Sequence, residues 1–279
     1  MYVLTADLNQ PDAREVFVKS LRETGFGVLK NHPIDYALIK AVFAEWEAFF
    51  HSDTKMDYLF DREKHDGLFP MAVSETAKGN TIKDIKEFYH YYPWGRRPPQ
   101  ITAKTQQLFD EMNALAATLL TWIEALTPPD IQAHFSEPLS SMIHESPKTL
   151  LRVLHYPPFQ GTEAPGAVRA AAHEDIDLLT VLPAATATGL QVKDAEGQWH
   201  DVVSDPGTMV VNVGDMLQLA SRHYYRSTTH RVINPQGEDA KKSRLSMPLF
   251  LHARNEVQLT PEITAKDYWI ERLKELGVY

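Results

Sequence analysis

The sequence contains no cysteine. That excludes a disulfide framework, a thiolate zinc site, a cysteine nucleophile and an iron–sulfur cluster. Basic residues are also in short supply: 28 lysines and arginines face 37 aspartates and glutamates, a net charge of −9. A general nucleic-acid binder needs the opposite balance to displace phosphate counterions, so no nucleic-acid partner is expected. Long apolar runs are missing. The uncharged stretch Leu178 to Val192 is 15 residues long and contains Pro183 and Gly189, whereas a membrane helix needs roughly 20 uninterrupted apolar residues. No membrane association is expected. The first residues, Met1-Tyr2-Val3-Leu4 up to Asp7, show no basic segment followed by an apolar one, which makes a cytoplasmic location the default. Also missing are the glycine-rich loops that cradle nucleotides and the Gly-x-Ser-x-Gly turn that presents a serine nucleophile.

What is present points to a globular protein: 43% hydrophobic and 23% charged residues are ordinary values for a packed chain. A chain of about this length buries roughly three quarters of its extended surface. Apolar spacing predicts helices over 11–24, over 35–50 with Ile39, Val42, Phe43, Trp46 and Phe50 buried, and over 102–126. A strand is expected at Gly25 to Lys30 and an aromatic one at Ile85 to Tyr92, with an irregular connection over 51–80. From about Leu150, short runs rich in Val, Leu and Thr alternate with Pro157-Pro158, Gly189, Gly197, Pro206-Gly207 and Gly214. Regular short strands with turn signals predict a sandwich or barrel. A last helix is expected at Thr264 to Leu276. The organisation predicted is a single domain, residues 1–279: a mostly helical part (1–149), a β core (150–255) and a C-terminal helix (256–279).

Twelve histidines remain to be explained. The best metal candidate is His173-Glu174-Asp175, followed after 54 intervening residues by His230. Residues two apart on an extended segment share a face, so His173 and Asp175 converge while Glu174 points away. Two imidazoles and a carboxylate on one face of an octahedron form the facial set used by non-haem iron(II), leaving the remaining positions open. The same donors could serve zinc in a hydrolase. Arg244-Leu245-Ser246 follows His230 by 14 residues, and its arginine and serine share a strand face suited to a carboxylate. His155, His200, His223 and His252 lack a partner at useful spacing. Arg96-Arg97 and Lys241-Lys242 read as solvated turns.

These motifs, with several others, make the chain similar to the isopenicillin N synthase-like family of Fe(II)/2-oxoglutarate-dependent oxygenases. Gly25-Phe26-Gly27-Val28 with Asn31-His32-Pro33-Ile34 resembles its N-terminal signature, Pro33 replacing a glycine. Arg152-Val153-Leu154-His155-Tyr156-Pro157-Pro158 resembles the strand that ends in Tyr-Pro. His173-Glu174-Asp175 with Leu178-Leu179-Thr180, then Gly189-Leu190-Gln191-Val192, Pro206-Gly207 to Asp215, Tyr225 to Val232, and Arg244-Leu245-Ser246 follow in the family's order.

The resemblance implies a double-stranded β-helix, or jelly roll, with iron held by His173, Asp175 and His230. It also implies that Arg244, Ser246 and Tyr156 hold the distal carboxylate of 2-oxoglutarate, and that O2 is consumed with release of succinate and CO2 as a small-molecule substrate is hydroxylated or desaturated. Leu154 stands where many relatives carry an asparagine that contacts the cosubstrate. The segments around His173 and Arg244 are also similar to isopenicillin N synthase itself, where the Arg-x-Ser pair holds a substrate carboxylate and no 2-oxoglutarate is used. A ring-closing oxidase is therefore the alternative. By the same resemblance Ile176, Leu182, Leu190, Pro248 and Phe250 fall at positions that line the substrate pocket. Tyr89 and Tyr91, sharing one face of the aromatic strand, are expected near its mouth.

Overall fold

The apolar spacing of the first half becomes three helices packed on one sheet. In a computed structural model, which describes residues 2–73, 83–203 and 205–275, α1 spans Ala13–Thr24, α2 Tyr36–Phe50 and α3 Ala103–Ala125. Asp35 caps α2 by accepting the Ala37 N–H at 2.8 Å, satisfying a donor left over at a helix start. Its stripe Leu38, Ile39, Val42, Phe43, Trp46, Phe49 and Phe50 is buried. Thr102 caps α3, which stops just before Thr127-Pro128-Pro129. Two single-turn helices, α4 at Pro129–Gln132 and α5 at Leu139–Met142, lead out of it.

The sheets are built from β1 (Thr5–Asp7), β2 (Phe26–Lys30), β3 (Gly67–Phe69), β4 (Glu87–Tyr91), β5 (Leu150–Tyr156), β6 (Ala170–His173), β7 (Leu179–Pro183), β8 (Leu190–Lys193), β9 (Trp199–Asp201), β10 (Met209–Val213), β11 (His230–Val232), β12 (Arg244–Ser246) and β13 (Leu249–Leu251). The larger sheet runs β1-β2-β10-β7-β13-β5-β4-β3, with β12 also paired to β5; the smaller runs β6-β11-β8-β9. A short ribbon of β14 (Gln258–Thr260) and β15 (Ile263–Thr264) precedes α7 at Ala265–Glu275, and α6 (Asp215–Ala220) follows β10. The predicted end of the last helix, Leu276, lies outside the described residues.

Strand alternation sorts the larger sheet into two faces. Leu29, Tyr89, Tyr91, Leu151, Val153, Val181, Met209, Val211, Leu249 and Leu251 join the helices in the main core. The residues between them point the other way. Phe26, Val28 and Val210 pack with Val192 and Val202, and Phe88, Leu154 and Tyr156 pack with Ala170 and Val232. These two clusters join the larger sheet to the smaller one.

The mostly helical first part also contributes strands: β1 to β4 come from it and complete the larger sheet. The connection over 51–80 also holds more order than expected: 3₁₀ turns at Asp53–Tyr58 and Met71–Val73 flank β3, while 74–80 lie outside the described residues. Its polar composition hid β3, whose Gly67, Leu68 and Phe69 are too few for a visible period.

Candidate metal centre and substrate cavity

Residues His173 and His230 are direct partners across the antiparallel pair β6–β11, so the ladder itself brings the rings together, with centroids 4.4 Å apart. Asp175, two residues past His173, adds its carboxylate. Its Oδ1 lies 3.7 Å from each Nε2, and the three ligand atoms fall within 4.8 Å of one another. Two donors about 2.1 Å from a shared ion are at most about 4.2 Å apart, so the 3.7 Å separations fit an ion between them.

Each donor is aimed by a second bond. His173 Nδ1 lies 2.8 Å from the Ala171 carbonyl and His230 Nδ1 lies 3.1 Å from that of Thr228. A carbonyl only accepts, so both protons sit on Nδ1 and both Nε2 lone pairs face the centre. Thr228 is held in turn by close packing on Gly25, which adopts φ +73° and has no room for a Cβ against the Thr228 hydroxyl. Although 40% of the His173 side chain is open to the cavity, burial and then the neighbouring His230 push its pKa down to about 4. The ring is therefore neutral and able to ligate.

Burial pushes the Asp175 carboxyl up, but His230 and His173, with hydrogen bonds from Asn212 and Thr180, hold it below its usual range. Asn212 Nδ2 donates to Oδ2 at 2.8 Å, leaving Oδ1 for the centre. Thr180 Oγ1 lies 2.7 Å from Asp175 Oδ2 and 3.0 Å from Asp177 Oδ2. One hydroxyl has one proton to give. Burial, with Asp175 beside it, raises the Asp177 carboxyl well above its usual value, which favours Thr180 giving its proton to the ionised Asp175. Glu174 accepts from Thr229 and is not one of the three converging donors.

The predicted anion site lies on the same inner faces, in the register Arg244↔Tyr156 and Ser246↔Leu154 between β12 and β5. Arg244 is 2% exposed. Its Nε donates to the Ala187 carbonyl at 2.9 Å, its charge sits 5.1 Å from the Tyr156 ring centroid, and its Nη1 is buried without a partner. Arg169 was not foreseen. It is 1% exposed with an orphaned Nε, and its guanidinium lies 5.9 Å from the same Tyr156 ring. Burial, and then Arg244 nearby, push its pKa down to about 10. The available signal was one arginine inside the otherwise uncharged run Ala164 to Ala172.

A cavity of about 460 Å³ opens beside the triad, lined by His173, Asp175, Ile176 and Phe250 together with residues from β4, β5 and α7. Ile176 and Phe250, expected at the substrate pocket, are among its lining residues. Leu182 and Leu190 instead line a separate recess of about 10 Å³ beside Arg244, room for about one water. Pro248 is buried and gives its carbonyl to the Arg152 N–H, outside the cavity lining. Tyr89 and Tyr91 need correction: they belong to the opposite face of β4, packed on Trp46 with ring centroids 5.0 and 6.3 Å away. Their neighbours His90 and Tyr92 line the cavity. Aromatic character alone could not choose between the two faces.

The other charged candidates are structural. Arg96 is held by the fully buried Asp66 at 2.9 Å, so it is not the solvated turn residue expected. Arg97, Lys241 and Lys242 are exposed, as expected. His155 and His200 do have partners, Glu87 at 2.9 Å and Asp194 at 2.5 Å, and neither approaches the triad.

Family models match both halves of the chain. Residues 147–253 fit the 2OG-Fe(II) oxygenase superfamily, and residues 4–111 fit the N-terminal region described as "non-haem dioxygenase in morphine synthesis". A Shewanella oneidensis structure described as that of an oxygenase is 54% identical, covers 100% of both chains and superposes with a TM-score of 0.91. The 2-oxoglutarate-dependent dioxygenase citB of Monascus ruber is 27% identical over 95% of this chain and 87% of its own. A full-length Neurospora crassa protein solved in complex with alpha-KG is 23% identical, covers 99% of this chain and 96% of its own, and shares the fold with a TM-score of 0.81. The chain belongs to the 2OG-Fe(II) oxygenase superfamily, oxidoreductases that use iron(II), 2-oxoglutarate and O2.

Proposed function

We propose that His173, Asp175 and His230 hold the iron(II), that Arg244, Ser246 and Tyr156 take the distal carboxylate of 2-oxoglutarate, and that a small-molecule substrate is oxidised in the cavity beside them. The observation that carries this reading is the convergence of two neutral imidazoles and one ionised carboxylate, each aimed by a second hydrogen bond, at the end of an open cavity. We further read the two facing sheets as the jelly-roll core of a single catalytic domain.

When bound, iron(II) and 2-oxoglutarate supply the chemistry: O2 is reduced as the oxo acid loses CO2 to become succinate, and a substrate C–H is oxidised. The chain's own residues provide position and charge. Asn212 and Thr180 occupy Asp175 Oδ2, so only Oδ1 is free to ligate. Arg244 lies buried with an orphaned N–H and no carboxylate to pair with among the described residues, and a buried cation left in that state favours a bound anion. Arg169 adds a second positive charge at the same tyrosine. Phe250 and Ile176 form an apolar wall next to the triad that excludes water from the substrate's reacting end.

A ring-closing oxidase that dispenses with 2-oxoglutarate is the weaker reading, since citB and its like are named for that cosubstrate. Anaerobic calorimetry with iron(II) and 2-oxoglutarate, followed by assay of succinate in air, tests the assignment. Iron-dependent binding of 2-oxoglutarate and slow succinate release are expected. Absence of both overturns it.

A further inference from the structure

The chain as a whole carries a net charge of −9, yet the cavity beside the triad is furnished with cations. Lys86 is matched by Asp84 at 2.9 Å, and Arg272 by Glu275 at 2.6 Å. Lys148 is different. It lines the cavity half-buried, and its ammonium rests on the face of Trp269, 3.8 Å from the ring centroid, with no carboxylate in reach among the described residues. A ring face steadies a cation without consuming its hydrogen-bonding capacity.

Two neighbours reinforce the position. His252, one residue past the end of β13, is buried, lines the same cavity and has an Nδ1 with no hydrogen-bond partner. Four residues along from Lys148, Arg152 lies over Phe250 at 5.4 Å and over Phe88 at 4.7 Å, and Leu150 fills the wall between the two cations. The ammonium is partly stripped of water, and its pKa is lowered by that burial.

We propose that the cavity binds a small organic anion, a carboxylate on an apolar planar body, with Lys148 as the anchor of the acid group. The proposal rests on the oxygenase reading above and narrows its substrate class. Phe250 pairs in register with Thr180, whose hydroxyl bonds Asp175, and Phe250, Lys148 and Trp269 line one cavity with His173 and Asp175, so an acid held by Lys148 shares that cavity with the triad.

The test uses the holoenzyme loaded with iron(II) and 2-oxoglutarate under nitrogen. Matched probes are titrated by calorimetry: phenylacetate against phenylacetamide, 3-phenylpropionate against 3-phenylpropionamide, and indole-3-acetate against indole-3-acetamide. Each acid is expected to bind at least about tenfold tighter than its amide, the gain typical of a hydrogen bond to a charged group. Lys148→Met, which keeps the packing on Trp269, is expected to close that gap to within about threefold, and Lys148→Arg to keep it. Parity of acid and amide in the wild type overturns the proposal, as does an undiminished gap in Lys148→Met or no binding of any acid up to about 10 mM. Titration of 2-oxoglutarate into the iron-loaded wild type in the same series separates the two readings. If it fails to bind, the oxygenase assignment falls; if it binds while acid and amide tie, only the substrate class does.

Discussion

At the metal end of the space between the two sheets, every donor is fixed by a second bond. The Ala171 and Thr228 carbonyls hold the two imidazoles, and Asn212 and Thr180 hold the carboxylate. At the cavity end, the lining comes from β4, β5, β13, α7 and the loops around them, and aromatic faces do much of the holding. A metal tolerates only a narrow donor geometry, so its residues must sit at set spacings on paired strands. A substrate surface needs only shape and charge, which many segments can supply.

If that contrast is right, damage at the metal end is all-or-none. Asp175→Ala is expected to abolish iron binding and succinate formation together, since it removes a ligand and leaves two imidazoles without their counter-charge. Metal analysis and circular dichroism on the purified variant check it; a folded protein with iron affinity near wild type breaks the comparison. The next largest effect belongs to the anion site. Arg244→Ala leaves a bound carboxylate buried and unpaired, a cost of about 3–5 kcal/mol, which weakens 2-oxoglutarate binding by about two to four orders of magnitude. Phe250→Ala, on the cavity side, should leave that affinity within about twofold while altering substrate binding. An equal loss in both variants would mean that the two ends are one site. Asn212→Ala frees Asp175 Oδ2, and iron affinity should fall by about ten- to a hundredfold. Arg169→Met should weaken 2-oxoglutarate about tenfold if its charge serves the same carboxylate; an unchanged affinity confines Arg169 to packing.

The same contrast explains what could be read from the sequence. The triad and the Arg-x-Ser pair were legible because strand alternation converts a spacing of two into a shared face, and the family order fixed His230 at a distance. The helices α1, α2 and α3 were legible from their stripes. The inner face of β4 was not. Phe88, Tyr89, His90, Tyr91 and Tyr92 are all aromatic, and the choice between faces is made by Trp46 on α2, a residue distant in sequence. Arg169 was overlooked for a related reason: an isolated arginine is usually solvated, and only the fold shows this one to be buried beside Tyr156. Leu182 and Leu190, expected at the substrate pocket by resemblance alone, line the small recess beside Arg244, a distinction that only the fold makes.

The smallest effect separates the two ends by pH. His252 belongs to the cavity end, outside the triad. Burial first, with Lys148 and Arg152 repelling a proton, depresses its pKa to about 4, whereas an unfolded histidine titrates near 6.5. Below about pH 6.5 the unfolded chain therefore takes up a proton that the folded chain refuses until about pH 4. Stability from this group is complete above the unfolded value and is lost as pH falls through that window. Urea denaturation of the chelator-treated protein should show it. In wild type the midpoint falls between pH 6.5 and 4; in His252→Gln, which keeps the polarity without the titration, the fall is shallower by up to one proton. Identical slopes would mean that His252 is solvated when the metal is absent, and that the cavity end is looser than its burial implies.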